Sequence, residues 1–217
     1  MNDGREEGML KHVVTTAIQG DAESVLRAID SYAWSVNWLM NVGDRKGEIL
    51  DEEVRRARPQ LVVELGGYCG YSAVRIARLL PPGGRLFSFE LDPRFAAIAE
   101  EVVRSAGLSD RVVHVVGPAD ESLRRLRELT GRDSADLIFF DHWKDRYLPD
   151  IRTAEECGAL RPGTVVVADN VIYPGTPEYL AHVRAHPRFR SVFHPAQLEY
   201  STDVPDGVEV SVYLGPA

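Results

Sequence analysis

At 217 residues, 44% apolar and 27% charged, the chain has the profile of one ordinary globular domain with a sizeable core. Its 33 acidic residues against 25 basic ones leave a net charge of -8 with no Lys/Arg cluster to offset it, which excludes a phosphate-backbone surface and so a nucleic-acid partner. The two cysteines, Cys69 and Cys157, imply no disulfide framework, and no signal-type or bilayer-length apolar run occurs, so a cytoplasmic chain with no membrane partner is expected.

The sequence shows no internal repeat and no low-complexity stretch. Residues 1–58 read as helices. Asp21 is placed to cap a segment in which Val25, Leu26, Ile29 and Tyr32 recur at helical spacing. A further helix carries Ile49, Leu50 and Val54 before Pro59 stops it. From Leu61 the pattern changes to short apolar strands alternating with helices, with strands expected over 61–65, 85–90, 111–116, 136–141 and 164–168. A helix over 72–80 ends at Pro81-Pro82-Gly83-Gly84; Asp92-Pro93 opens another that Gly107 closes. Such alternation predicts a mostly parallel sheet covered by helices on both faces. Two further strand-like runs, 191–200 and 208–214, are separated only by a short turn around Pro205-Asp206-Gly207, so they must pair antiparallel. A parallel sheet closing in an antiparallel hairpin resembles the Rossmann-like, seven-stranded α/β fold of class I methyltransferases, a likeness that by itself carries no activity.

The first strand runs into Glu64-Leu65-Gly66-Gly67-Tyr68-Cys69-Gly70-Tyr71-Ser72. A dinucleotide fingerprint starting at Gly66 needs glycines where this chain has Tyr68 and Tyr71, which speaks against a pyrophosphate ligand. A tight turn flanked by carboxylates suits S-adenosylmethionine better, since that ligand has no phosphate and carries a sulfonium cation. Glu90 ends the second strand, where a carboxylate accepts both hydroxyls of a ribose. Asp120 follows the third strand, placed to accept from the exocyclic amine of adenine. Taken singly, Glu90 and Asp120 read equally well as helix caps.

The fourth strand ends in Asp141-His142-Trp143-Lys144 and the fifth in Asp169-Asn170. In open α/β sheets the ligand crevice lies beyond the carboxyl ends of the strands. If the two strands are neighbours, Asp141, Asp169 and Asn170 converge there as a hard, all-oxygen set suited to magnesium. Such a set leaves about three of six octahedral positions for two adjacent substrate oxygens and a water.

Longer motifs then resemble catechol O-methyltransferases of animals. They are the run from Phe140 to Pro149, Ala168-Asp169-Asn170-Val171-Ile172, Pro174-Gly175-Thr176-Pro177, Glu64-Leu65-Gly66, Tyr68 to Val74, and Trp38 with Met40-Asn41-Val42-Gly43-Asp44. The likeness spans essentially the whole chain. It implies transfer of the methyl group of S-adenosylmethionine to one hydroxyl of a catechol, by in-line attack of a magnesium-bound phenolate. It also implies that Asp141, Asp169 and Asn170 hold the metal, that Lys144 takes the proton from the reacting hydroxyl, and that Glu199 hydrogen-bonds the other. Trp38, Trp143 and Pro174 would wall the aromatic ring. Met40, Val42, Ser72 and His142 would contact the cofactor, beside Glu64, Gly66, Tyr68, Glu90, Leu91, Asp120 and Trp143. The expected organisation is one methyltransferase domain over 1–217, a monomer, with helices 1–58 forming part of the cover. Gly67, Leu91, Ala119-Asp120 and Tyr173 depart from the animal pattern, as does 201–206, which lacks the methionine expected after Glu199-Tyr200.

Chelation of two vicinal oxygens explains a demand for catechols and fixes the acceptor for attack. A neighbouring dication would depress the Lys144 pKa and make it a usable base. Plainer readings compete: a solvated charge run at 141–146, a turn at Asp169-Asn170, core packing for Trp34, Trp38 and Trp143, and a small buried filler at Cys69. Two other functions remain open: an O-methyltransferase for a larger catechol-bearing metabolite or phenylpropanoid, and a cofactor-binding protein without turnover.

Overall fold

Three helices open the chain, α1 (Arg5–Thr16), α2 (Ala22–Ser35) and α3 (Gly43–Ala57), in a computed structural model that describes residues 3–216. Residues 1, 2 and 217, the ends of the expected 1–217 domain, lie outside the described residues. Asp21 caps α2 as expected, its Oδ1 accepting from Ser24 N at 3.0 Å. Arg58 adopts a left-handed conformation (φ 47°) at the end of α3, and Pro59 follows, where no helical hydrogen bond is available. Leu50 and Val54 of α3 are buried, each contributing roughly 1.5–3 kcal/mol by leaving water. Lys46 shares their stripe at four-residue spacing and is buried with them.

The sheet follows as β1 (Leu61–Leu65), β2 (Arg85–Glu90), β3 (Val112–Val116), β4 (Leu137–Phe140), β5 (Val165–Ala168), β6 (Phe189–Gln197) and β7 (Pro205–Tyr213). Its order is β3-β2-β1-β4-β5-β7-β6. The first five strands pair in parallel, while β7 runs antiparallel to both β5 and β6. Between them lie α4 (Tyr71–Ala77), α5 (Pro93–Ser105), α6 (Ala119–Arg124), α7 (Leu126–Thr130), α8 (Tyr147–Glu156) and α9 (Pro177–Ala185). Alternate strand residues serve opposite faces. Val62, Leu137 and Val167 pack with Met9, Ile29, Leu50 and Val74 from the helices up to α5, whereas Val63, Ile138 and Val166 pack with Leu123, Ile151 and Tyr179 from the later ones. Both faces are therefore covered, and the strands read as continuous apolar runs for that reason. β1 has β2 on one side and β4 on the other, which places the topological switch point at its carboxyl end.

One local expectation is corrected. Pro205-Asp206-Gly207 is the start of β7, paired with Gln197, Ala196 and Pro195; the turn falls at 198–204, where Leu198 N donates to Val204 O at 2.9 Å. Asp-Gly is a strong turn signal. Here a buried ion pair from Asp206 to Lys46 pulls it into the sheet instead.

Candidate active site

Because β1, β2, β4 and β5 are parallel, the residues following them emerge at one edge of the sheet. Gly66 (φ 94°) leaves β1 with no room for a side chain: a Cβ there would lie 2.7 Å from the Asp141 carbonyl oxygen. The glycine turn thus packs directly on the backbone after β4. Glu90, the last residue of β2, ties the neighbouring loops together, Oε2 accepting from Tyr68 N and Oε1 from Asp92 N, both at 2.8 Å. It caps no helix, since Asp92 fills that place for α5. Burial raises the carboxyl pKa of Glu90 and pushes that of Glu64, fully buried in β1, up to about 7. Among the described residues no aligned donor reaches the buried Glu64 Oε1, while Oε2 accepts from the Ser88 hydroxyl. A buried carboxylate with one oxygen left open beside a tight turn fits a cationic nucleoside, whose positive charge would satisfy it.

The other expected cofactor residues surround this turn. Tyr68 (φ 41°) is buried, its hydroxyl donating to Glu6 Oε1 at 2.7 Å; Ser72 is buried in the first turn of α4. Buried Val42 and exposed Met40 flank Asn41 just before α3. Leu91 is exposed after β2. His142 Nε2 lies 2.7 Å from Asp150 Oδ2, and its ring stacks on Tyr147 at 5.1 Å. Burial holds the His142 pKa below its ordinary value, with Asp150 opposing. Asp120 lies inside the first turn of α6 and not at its cap, which is Pro118; it faces Arg146 at 3.4 Å. Trp143 is 76% exposed and Trp34 42%, so neither is a core aromatic; Trp38 is half-buried. Cys69 is buried, and burial raises its thiol pKa, as suits a filler and not a nucleophile.

β4 and β5 are neighbours, so the condition for convergence is met. Asp141 and Asp169 are buried at their ends, and Asn170 follows in the left-handed region (φ 55°). Lys144 Nζ sits 3.1 Å from Asp141 Oδ1 and 2.8 Å from the Tyr147 hydroxyl. That hydroxyl donates to the Phe140 carbonyl at 2.7 Å, fixing the lysine to the strand end. Glu199 Oε2 accepts from Asn170 Nδ2 at 3.1 Å. Pro174 is exposed beside Tyr173. The structure therefore gathers Asp141, Lys144, Asp169, Asn170 and Glu199 in one cluster.

Two residues of that cluster escaped sequence reasoning. Lys46 Nζ lies 2.9 Å from Asp169 Oδ1, 2.9 Å from Glu199 Oε2 and 2.8 Å from Asp206 Oδ2. A lysine on the apolar stripe with Leu50 and Val54 was the available signal; Asp206 was hidden by its turn-like neighbours. Burial raises the Asp141 carboxyl well above its ordinary range and pushes Asp169 up to about 6. Among the described residues neither Asp169 oxygen has an aligned hydrogen-bond donor, although Lys46 stands at ion-pair distance from one of them. The four carboxylates of Asp141, Asp169, Glu199 and Asp206 outnumber the two lysine nitrogens of Lys46 and Lys144, so the cluster carries net negative formal charge whether or not Lys144 holds its proton. Oxygen donors and that residual charge fit a hard dication. Among the described residues no group of three or more His, Cys, Asp or Glu side chains is arranged to hold a metal ion. The set here is two carboxylates and one amide.

A family model described as O-methyltransferase matches residues 21–186. The chain is 50% identical over 216 residues to catechol O-methyltransferase of Mus musculus, covering 100% of this chain and 81% of that one. It is 50% identical over 211 residues to catechol O-methyltransferase B of Danio rerio, covering 97% and 80%. Among solved structures, an O-methyltransferase from Bacillus cereus in complex with SAH matches with a TM-score of 0.71 at 25% identity, covering 88% of this chain and 90% of that one.

Proposed function

The chain belongs to the O-methyltransferase family, and from that membership we propose a magnesium-dependent transfer of the methyl group of S-adenosylmethionine to one hydroxyl of a small catechol. It is an S-adenosylmethionine-dependent methyltransferase. The observation that carries the finer reading is the buried cluster in which Asp141, Asp169 and Asn170 meet Lys144 and Glu199.

Asp141, Asp169 and the amide oxygen of Asn170 would hold the magnesium. Gly66, Glu64, Glu90 and Asp120 would hold the nucleoside and amino-acid ends of the cofactor, with Met40, Val42, Tyr68, Ser72, Leu91, His142 and Trp143 around them. When bound, these groups supply a transferable methyl and a divalent charge that orients vicinal oxygens and favours the phenolate. Lys144, held by Asp141 and Tyr147, takes the proton of the reacting hydroxyl at its Nζ. Glu199 accepts from the second hydroxyl and fixes the ring's register, while Trp38, Trp143 and Pro174 wall the ring and exclude water.

No helix among the described residues is long and apolar enough to cross a membrane. Cys69 and Cys157 are both free thiols. A single cytoplasmic domain acting as a monomer is the reading that accompanies this function. The helices before β1 serve as its cover, as Arg5 Nη1 donating to Trp38 O at 3.0 Å and Glu6 meeting Tyr68 support.

The test is an acceptor series with magnesium present: a dihydroxybenzoate with vicinal hydroxyls, larger catechols, and the matching monohydroxybenzoates. Product from vicinal diols alone is expected. Equal turnover of the monohydroxy compounds would remove chelation from the account.

A further inference from the structure

Asp206 has no part in the roles assigned above, yet four donors converge on its wholly buried carboxylate. Oδ2 accepts from Lys46 Nζ at 2.8 Å and from Asn170 Nδ2 at 2.9 Å. Oδ1 accepts from the backbone N–H groups of Ile172 at 3.2 Å and Tyr173 at 3.0 Å. A carboxylate has about four lone-pair positions. Those of Asp206 are taken by the chain itself, so it is neither a ligand nor a base.

Its partners define what it does. The two ends of an asparagine amide are distinguished only by the groups they meet. Asp206 and Glu199 together claim the Asn170 nitrogen, which leaves the amide oxygen as the acceptor end of that side chain. Asn170 also sits in a left-handed conformation that needs restraint from its surroundings. The two backbone bonds to Oδ1 supply it by fastening the segment that leads from Asn170 to Pro174. Lys46 offsets the buried charge of Asp206, and the same ammonium reaches Asp169 and Glu199, so one nitrogen holds three carboxylates in register.

The geometry points to Asp206 as a positioning residue that sets the oxygen of Asn170 and the 171–174 segment towards a dication and the acceptor, with Lys46 as its counter-ion. The inference rests on the magnesium reading of the site. It predicts a specific failure. An asparagine at 206 keeps an oxygen for Ile172 and Tyr173 but sets an NH2 group against that of Asn170, so Glu199 alone is left to hold the Asn170 nitrogen and the amide loses its fixed orientation towards the metal.

The deciding variant is Lys46→Met combined with Asp206→Asn, which removes one positive and one negative charge and leaves the formal charge of the cluster unchanged. Magnesium is titrated calorimetrically into the full chain saturated with S-adenosylmethionine, and cofactor affinity is measured separately without metal. The expected result is magnesium binding weakened at least tenfold, cofactor affinity within twofold of the parent, and a KM for a dihydroxybenzoate that rises more than kcat falls. Asp206→Asn alone should show the same pattern. Magnesium affinity within twofold of the parent in the double variant would overturn the inference while leaving the proposed function standing. Loss of cofactor binding in both variants would also overturn it, by showing a role in general folding. A parent chain that binds cofactor but no magnesium would overturn the metal reading itself, and this inference with it.

Discussion

The indole Nε1 of Trp38 donates a 3.0 Å hydrogen bond to the backbone carbonyl of Glu199, 161 positions further along the chain. Two more contacts reinforce this link. Tyr200 Oη donates to Asn41 Oδ1 at 2.8 Å, and Gly43 (φ 70°) approaches so closely that a Cβ there would lie 2.8 Å from Glu199 Cβ. The segment that carries Met40 and Val42 is thereby fastened to Glu199. In the proposed function this joins the cofactor side and the acceptor side through one piece of backbone.

Trp38→Phe keeps a ring in the wall but removes the donor. An unpaired, partly buried carbonyl costs about 1–3 kcal/mol, and Glu199 would lose its fixed position. The KM for a catechol should rise roughly 5- to 50-fold if about 1–2.3 kcal/mol of that cost falls on acceptor binding, with cofactor affinity nearly unchanged. Steady-state kinetics with a dihydroxybenzoate decides it; an unaltered KM would show that the bond has no bearing on the acceptor.

Lys144→Ala should lower kcat by about 10²–10⁴, the usual contribution of a positioned base. Equilibrium dialysis should find S-adenosylmethionine bound as in the parent, because Lys144 contacts Asp141 and Tyr147 and belongs to no part of the glycine turn. Turnover at the parental rate would remove the lysine from the base role.

Gly66→Ala tests the packing of the glycine turn on the backbone after β4. The new methyl would meet Asp141 O at 2.7 Å and His142 Cα at 2.9 Å, from a backbone conformation that disfavours any side chain. A loss of about 2 kcal/mol or more is expected, equivalent to roughly 4–8 °C in Tm for a chain of this length. Cofactor and magnesium affinities should fall together, since both loops must shift. A calorimetric melt matching the parent would contradict the tight approach.

Asp30 gives the stability a pH dependence of known sign. Burial pushes its carboxyl up to about 6, opposed by the hydroxyls of Tyr71 and Tyr200. The folded pKa lies above the ordinary ~3.9 of an unfolded chain. Its favourable contribution is thus complete below pH ~4 and is lost as pH rises through 6. Asp30→Asn retains an oxygen for the Tyr200 hydroxyl, whose single proton is shared between Asp30 Oδ1 at 3.0 Å and Asn41 Oδ1, and removes the titration. Relative to the parent, the variant should melt several degrees higher at pH 8 than at pH 5. Equal differences at both pH values would refute the assignment.

What was legible in the sequence was what is local or follows from strand adjacency. The Asp21 cap, the alternating strands and the closing antiparallel pair each write their signature within a dozen residues. Asp141 and Asp169 could be brought together on paper because they end consecutive strands that the sheet places side by side. Glu199 came only from resemblance, since its position depends on α3 at the other end of the chain. Lys46 was missed because a lysine is ordinarily exposed, and only three carboxylates from distant segments make its burial tolerable. Asp206 was misread as a turn residue for the same reason: its partner, Lys46, is remote in sequence.

Methyl transfer from labelled S-adenosylmethionine to a dihydroxybenzoate, run with magnesium and again with excess chelator, tests the central claim most directly. The account predicts labelled monomethyl product that disappears with the chelator and returns when magnesium is restored. Product formed equally in both reactions would contradict it, because Asp141, Asp169 and Asn170 would then have no metal to hold.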